Sequence, residues 1–305
     1  MSKKSNATLI AGSLLLVVVL WGGNNAGTKW LLREWPPVFT GMTRFLFAGA
    51  ILYVLLRHTR WLGDNPPLSR AQRTQLWLRG GLSLALYTVA FTWALRLTAA
   101  AHVALYIGAS PVWSLLMEER PRRDWSSVRR YCAALLAVAG VVVLFWPALQ
   151  VSDFHLAGEA CGLVSGLCWA NYNHQSRILA RTINGVEVAA YSMWMSGLWL
   201  LPLALVEVWR NGVPLDPPHL GIQALAVVFG GVVAYALWNS ALRHWPTSRV
   251  VLFNNFIPLS TATWAHFTLG EPVTPTFFAA MLLIVTGVLA GQMDWAKVFR
   301  EPEGF

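Results

Sequence analysis

The chain has 305 residues, 56% of them hydrophobic and only 12% charged, with a mean hydropathy of +0.49. That is too apolar for a water-facing surface and excludes a soluble globular domain. The net charge of +9 does not point to nucleic acid, because the basic residues fall in short loops between apolar runs, where membrane orientation and anionic lipid explain them.

In chain order, the first apolar run follows Lys3 and Lys4 and starts like a signal peptide, but it continues through small and polar residues to Leu32 and reads as an uncleaved first helix. Boundaries set by charge, proline and turn residues predict ten spans: 8–31, 38–56, 76–96, 100–118, 127–146, 156–179, 186–208, 219–241, 248–269 and 275–295. The fold class expected is all-α, a polytopic membrane protein. With both termini in the cytoplasm, eighteen basic residues lie in inside loops. Only Lys29, Arg33, Arg96 and Arg210 lie outside, which sets the orientation expected in a bacterial inner membrane.

The second half repeats the first. Ala94-Leu95-Arg96 aligns with Ala241-Leu242-Arg243, Pro111 with Pro258, and Leu135-Leu136 and Gly140-Val141 with Leu282-Leu283 and Gly287-Val288; one residue further along in offset, Trp21, Asn25 and Leu31 meet Trp169, Asn173 and Leu179. Five spans per half is an odd number, so the second copy enters the membrane from the opposite side. The halves 1–150 and 151–305 are therefore expected to form an inverted repeat, an arrangement that secondary transporters use with a substrate site near the midplane.

Intramembrane polar and aromatic residues supply the candidate site. Asn25 and Asn173 would be costly facing lipid and are expected inside, as interhelical hydrogen bonds or as substrate contacts. Trp21 in the first span, Tyr87, Tyr106, Trp169, Tyr235 and Trp238 at middle depths, Asn239 near the inner end of the eighth span and Asn254 one turn before Pro258 in the ninth complete the expected substrate-binding set. Asn255 adjoins Asn254. Pro111 and Pro258 are candidate hinges, or sources of static curvature. His174 is the candidate proton-linked residue, with a hydrogen-bonded packing role as its alternative. Arg44 is expected to snorkel, with a substrate carboxylate as the lesser reading, and Lys29 to be interfacial. Trp30, Trp35, Trp61, Trp77, Trp125, Trp146, Trp209, Trp245 and Trp295 read as an interfacial belt, and Cys132, Cys161 and Cys168 as small buried residues.

The Trp21-Gly22 pair with Asn25, the prolines Pro111 and Pro258, Gly140 and Gly287, and Gly270-Glu271-Pro272 together resemble the drug/metabolite transporter superfamily in its ten-helix EamA-type branch, and look most like its aromatic amino acid exporters. The first half has Glu119-Arg120-Pro121 where the second has Gly-Glu-Pro. The resemblance implies a cavity walled by helices 1, 3, 4, 6, 8 and 9 that opens alternately to each side.

The function expected is export of small organic metabolites, aromatic or other amino acids first, with a proton-coupled drug or nucleoside exporter as the alternative. A facilitator is favoured, because Glu118, Glu159, Glu207 and Asp294 fall near span ends. An intramembrane enzyme would need a His-Glu-x-x-His, paired aspartates or a phosphate-cradling loop, and a channel or scaffold does not require the repeat. No cofactor is expected, and the partners are a small-molecule substrate and membrane lipid, with the chain a monomer or homodimer.

Overall fold

A computed structural model describes residues 3–59, 62–63, 66–110, 112–113, 125–146, 153–244 and 250–292. Ten helical segments and no strand lie among the described residues. They are α1 (Lys3–Leu31), α2 (Pro37–His58), α3 (Arg70–Leu97), α4 (beginning with Ala100–Gly108), α5 (Trp125–Phe145), α6 (Asp153–Leu179), α7 (Gly185–Asn211), α8 (Pro217–Leu225 continuing to Ala234–His244), α9 (Val251–Phe256 continuing to Ile257–Leu269) and α10 (Pro275–Gln292). The expected ends at 118, 248 and 295 lie outside the described residues; the others fall within six residues of these bounds. The third span begins six residues earlier, at Arg70, because Ser69 and Gln72 form a capping box there.

Among the described residues, five segments, α1, α2, α3, α7 and α8, are long and apolar enough to cross a bilayer. α6 is long enough, but Glu159, Asn171, Asn173, His174 and Gln175 interrupt its apolar run and it falls outside that set. Those residues need interior partners, so the same polarity that weakens the hydropathy signal marks α6 as a helix surrounded by others.

The packing is paired. α2 lies along α7 and α5 along α10, while α1 packs on α8 and α9 as α6 packs on α3 and α4. Small residues permit these approaches: a Cβ on Gly49 would strike the α7 backbone at Trp194, and one on Gly140 or Gly287 would strike the facing helix of the α5–α10 pair. Helices 5 and 10 thus pack on each other.

α3 and α8 share an irregularity. Each widens into a π-helix, over Leu76–Gly81 and Ala226–Val233, and each π segment contains a glycine pair, Gly80-Gly81 and Gly230-Gly231. A π turn shifts hydrogen bonds from i+4 to i+5 and leaves carbonyls able to take a second donor. In both cases an indole is that donor: Trp199 Nε1 donates to the Trp77 carbonyl at 3.1 Å and Trp21 Nε1 to the Gly230 carbonyl at 3.1 Å.

Two surface expectations change. Trp125, Trp146 and Trp209 are exposed, as a belt requires, but Trp35 is buried, donating from Nε1 to the Pro214 carbonyl at 2.8 Å and stacking on His219. Trp30 also meets His219, and Trp77 pairs with Trp199, so these rings serve packing; Trp61, Trp245 and Trp295 lie outside the described residues. Cys132 is exposed and Cys161 and Cys168 are half-buried, all three as free thiols.

Candidate functional site

The interior holds a continuous aromatic wall. Tyr87 on α3 stacks on Phe91 at 5.3 Å between centroids and meets Trp169 of α6 at 4.9 Å, and Trp169 runs on to Tyr172 at 5.3 Å. Tyr235 of α8 packs against the same cluster, together with Phe45 of α2. Trp21 of α1 meets Tyr235 edge-on at 5.5 Å and Trp238 at 5.3 Å, which joins the second half's α8 to the first half's α1. Trp21, Tyr87, Trp169, Tyr235 and Trp238 are thus brought together, with Trp238 reaching a neighbouring cluster around Leu14 and Phe253.

Arg44 lies inside this wall, and snorkelling is overturned. The residue is 5% exposed, with its guanidinium 4.5 Å from the Phe45 ring centroid and 5.3 Å from that of Phe91. Tyr87 and Tyr235 of the wall lie near it as neutral phenols. α2 is flanked by α3, α7 and α8, so a side chain seven residues inside the helix meets protein on the way to water. Its Nε has no hydrogen-bond partner, and no described carboxylate forms an ion pair with it. Cation–π contacts return about 2 kcal/mol when desolvated, against several kcal/mol for removing a charge from water. The guanidinium is under-compensated.

The polar candidates divide. Asn25 is buried, and its Nδ2 donates to Thr261 Oγ1 at 3.0 Å, tying α1 to α9. Asn254 Oδ1 and Asn255 Nδ2 are buried without partners. Asn173 is half-buried on α6, and His174 beside it is half-buried and engaged. The Asn239 side chain and Pro111 lie outside the described residues. Pro258 is buried in the first turn of the α-helical part of α9, directly after the 3₁₀ turn Val251–Phe256, so it marks a change of helix type.

Tyr106 is separated from the wall. It is fully buried, and its hydroxyl donates to Glu159 Oε2 at 2.6 Å. Glu159 is 3% exposed and collects three partners, because Thr98 Oγ1 donates to Oε1 and His102 Nδ1 lies 2.7 Å from the same oxygen. The network continues through the Thr98 carbonyl, which accepts from Lys29 Nζ; Lys29 pairs with Glu271 at 2.8 Å, and Glu271 Oε2 accepts the Ala100 N–H at 3.0 Å. Gly270, at φ +71°, turns the chain left-handed at the end of α9 so that Glu271 faces α4, which gives the Gly-Glu-Pro motif a role as a clasp. His102 and Thr98 were not singled out from sequence. The available signal was a glutamate two turns inside a span on a helix rich in glycine, where a neighbouring helix comes close: Gly158 abuts Leu97, and Gly162 and Gly166 abut Tyr106. Among the described residues, no group of acidic, histidine or cysteine side chains is arranged to hold a metal.

The family model of EamA-like transporters matches residues 8–146 and again 156–290. An "uncharacterized transporter" of Archaeoglobus fulgidus is 26% identical over 279 residues, spanning 90% of this chain and 93% of the relative. A "probable terminal-alkyne amino-acid exporter" of Streptantibioticus cattleyicolor is 24% identical over 194 residues, spanning 63% of this chain and 62% of that protein. A solved crystal structure superposes with a TM-score of 0.61 at 20% identity, covering 97% of this chain and 99% of the other, a likeness of fold. With both halves matched, the chain is an integral membrane protein that belongs to the EamA-like transporter family of the drug/metabolite transporter superfamily.

Proposed function

We propose that the protein is a secondary transporter that exports small organic metabolites, aromatic or other amino acids first among them, by alternating access between two inverted five-helix halves, 1–150 and 151–305. It sits in a bacterial inner membrane with both termini cytoplasmic. The observation that carries this reading is the interior aromatic wall drawn from both halves, with Trp21 and Tyr87 on one side and Trp169 and Tyr235 on the other. Planar rings give large contact area at low entropic cost and suit an amphipathic ligand. The two family matches, the pairing of α2 with α7 and α5 with α10, and the matched π segments support a two-fold design. The amino-acid exporter among the relatives supports the substrate class.

Liposomes containing only the purified protein test it. Labelled phenylalanine, tyrosine and tryptophan equilibrate across the bilayer, and Trp169→Arg abolishes the flux. Flux no greater than in empty liposomes for the amino acids, with flux of nucleosides or lipophilic cations, overturns the amino-acid reading.

A facilitator is the working mode, and one observation favours the proton-coupled alternative. Buried Glu159 and Tyr106 and half-buried His102 form a carboxylate, phenol and imidazole cluster between α4 and α6, an assembly that can gain or lose a proton as the helices part. Accumulation driven by an imposed pH gradient, lost in Glu159→Gln and kept in His174→Ala, establishes coupling at that cluster.

A further inference from the structure

Within the transporter reading, we propose that Arg44 is the anion-anchoring residue of the site and that the ligand is an aromatic monocarboxylate that needs no α-ammonium group. The guanidinium is the described cation inside the aromatic wall, and it stands between Phe45 and Phe91 with Tyr87 and Tyr235 nearby as neutral phenols. Its Nε is buried and unpartnered. A planar fork of donors is shaped for two carboxylate oxygens, and in a desolvated setting that pairing is strong and directional. A cation at this depth is otherwise a cost with no return.

The wall beside it defines the rest of the ligand. Phe91, Tyr87 and Tyr172 are buried within the stack, and Trp169, half-buried between Tyr87 and Tyr172, is the ring left to meet a ligand. No described carboxylate forms an ion pair with Arg44, and of the two buried among the described residues, Glu159 is taken up by Thr98, His102 and Tyr106, while Glu187, its Oε2 unpartnered, lies in the first turn of α7 near Arg57, at the far end of α2 from Arg44. An α-ammonium therefore finds no counter-charge in the wall. The site discriminates by the carboxylate and the ring, and it favours the deaminated acid over the amino acid, whose ammonium would lose water without gaining a partner.

The experiment is equilibrium binding to the purified, detergent-solubilised protein, with radiolabelled 3-phenylpropionate displaced by unlabelled 3-phenylpropionate, its neutral amide 3-phenylpropionamide, and phenylalanine. Phenylalanine and the amide are each expected to compete about tenfold or more weakly than 3-phenylpropionate, the first for its unpartnered ammonium and the second for its missing charge, and phenylalanine binding more tightly than 3-phenylpropionate overturns the claim that no ammonium is needed. Arg44→Gln abolishes the advantage of acid over amide, and Arg44→Lys retains part of it because a point charge replaces the fork. Equal displacement by acid and amide in the wild type, no saturable 3-phenylpropionate binding, or an acid preference that survives Arg44→Gln overturns the proposal. Should Arg44→Gln fail to fold, the wild-type comparison and Arg44→Lys decide. Binding and flux fail separately. Acid-selective binding without liposome flux removes the transport reading and keeps the anion site, whereas flux of acid and amide alike keeps transport and removes Arg44 as its anchor.

Discussion

Arg44 and Glu159 are both charged residues buried in a helical membrane protein, at 5% and 3% exposure, and their surroundings are opposite. Glu159 has both oxygens occupied, by a threonine, a histidine and a tyrosine from α4 and the turn before it, and belongs to a chain of contacts that ends at Lys29 and Glu271. Arg44 has aromatic faces and an unpartnered Nε. A buried charge whose bonds are complete holds structure together. One whose bonds are incomplete is held by structure, and under the proposal above the missing partner of Arg44 is the ligand. The comparison therefore separates a clasp from a receptor within one bundle.

Stability measurements test that contrast. Glu159→Ala strands Thr98, His102 and Tyr106, and is expected to cost about 3 kcal/mol, the usual penalty for removing one partner of a buried pair; the readout is the thermal midpoint of the purified protein. Arg44→Met is expected to act with the opposite sign, stabilising the ligand-free protein by about 1 kcal/mol, because a flexible apolar side chain of similar length replaces an under-compensated charge. If Arg44→Met destabilises as much as Glu159→Ala, the two charges do the same job and the distinction fails.

Glu207→Ala comes next. Its carboxylate accepts the Val38 and Phe39 N–H groups at 2.8 and 3.1 Å, capping α2 from α7, where Pro36 brings no capping side chain of its own. The loss is expected to be about 1–2 kcal/mol, the worth of an N-cap, again as a lowered thermal midpoint. The smallest effect is at Asp216, the N-cap of α8. The His219 backbone N–H first, then its ring, hold the Asp216 carboxyl below its ordinary range. A depressed carboxyl contributes stability above the unfolded value and loses it as pH falls through the folded one. Asp216→Asn is therefore expected to flatten the loss of thermal midpoint on acidification below about pH 4, with little change at neutral pH.

The sequence made the helices legible because each apolar run is bounded by proline, charge or glycine, and it exposed the aromatic wall because rings at middle depth on several spans must meet somewhere. It misplaced Arg44. Counting residues from a span end measures depth, and depth cannot say whether a side chain faces lipid or a neighbouring helix; the position of α2 between α3, α7 and α8 decides that. Tyr106 was grouped with the wall on the same evidence of depth, but it turns toward Glu159, whose partners lie 53 to 61 residues away along the chain. Contacts at that range have no periodic signature. The π segments were also invisible, since Gly80-Gly81 and Gly230-Gly231 read as ordinary small residues in transmembrane text.

Those wide turns have a consequence for how such a bundle moves. Exchanging an i+5 hydrogen bond for an i+4 bond at one end of a π segment, and the reverse at the other, passes the extra residue along the helix like a fold travelling through a carpet. Everything the fold has passed turns by one residue's step, about 100°. The bonds change one at a time, so α3 and α8 can present a different face to the interior without any stretch of helix melting. The indoles of Trp199 and Trp21 are each fastened to a carbonyl of a π segment, so passing the bulge along either helix would first require that hydrogen bond to break.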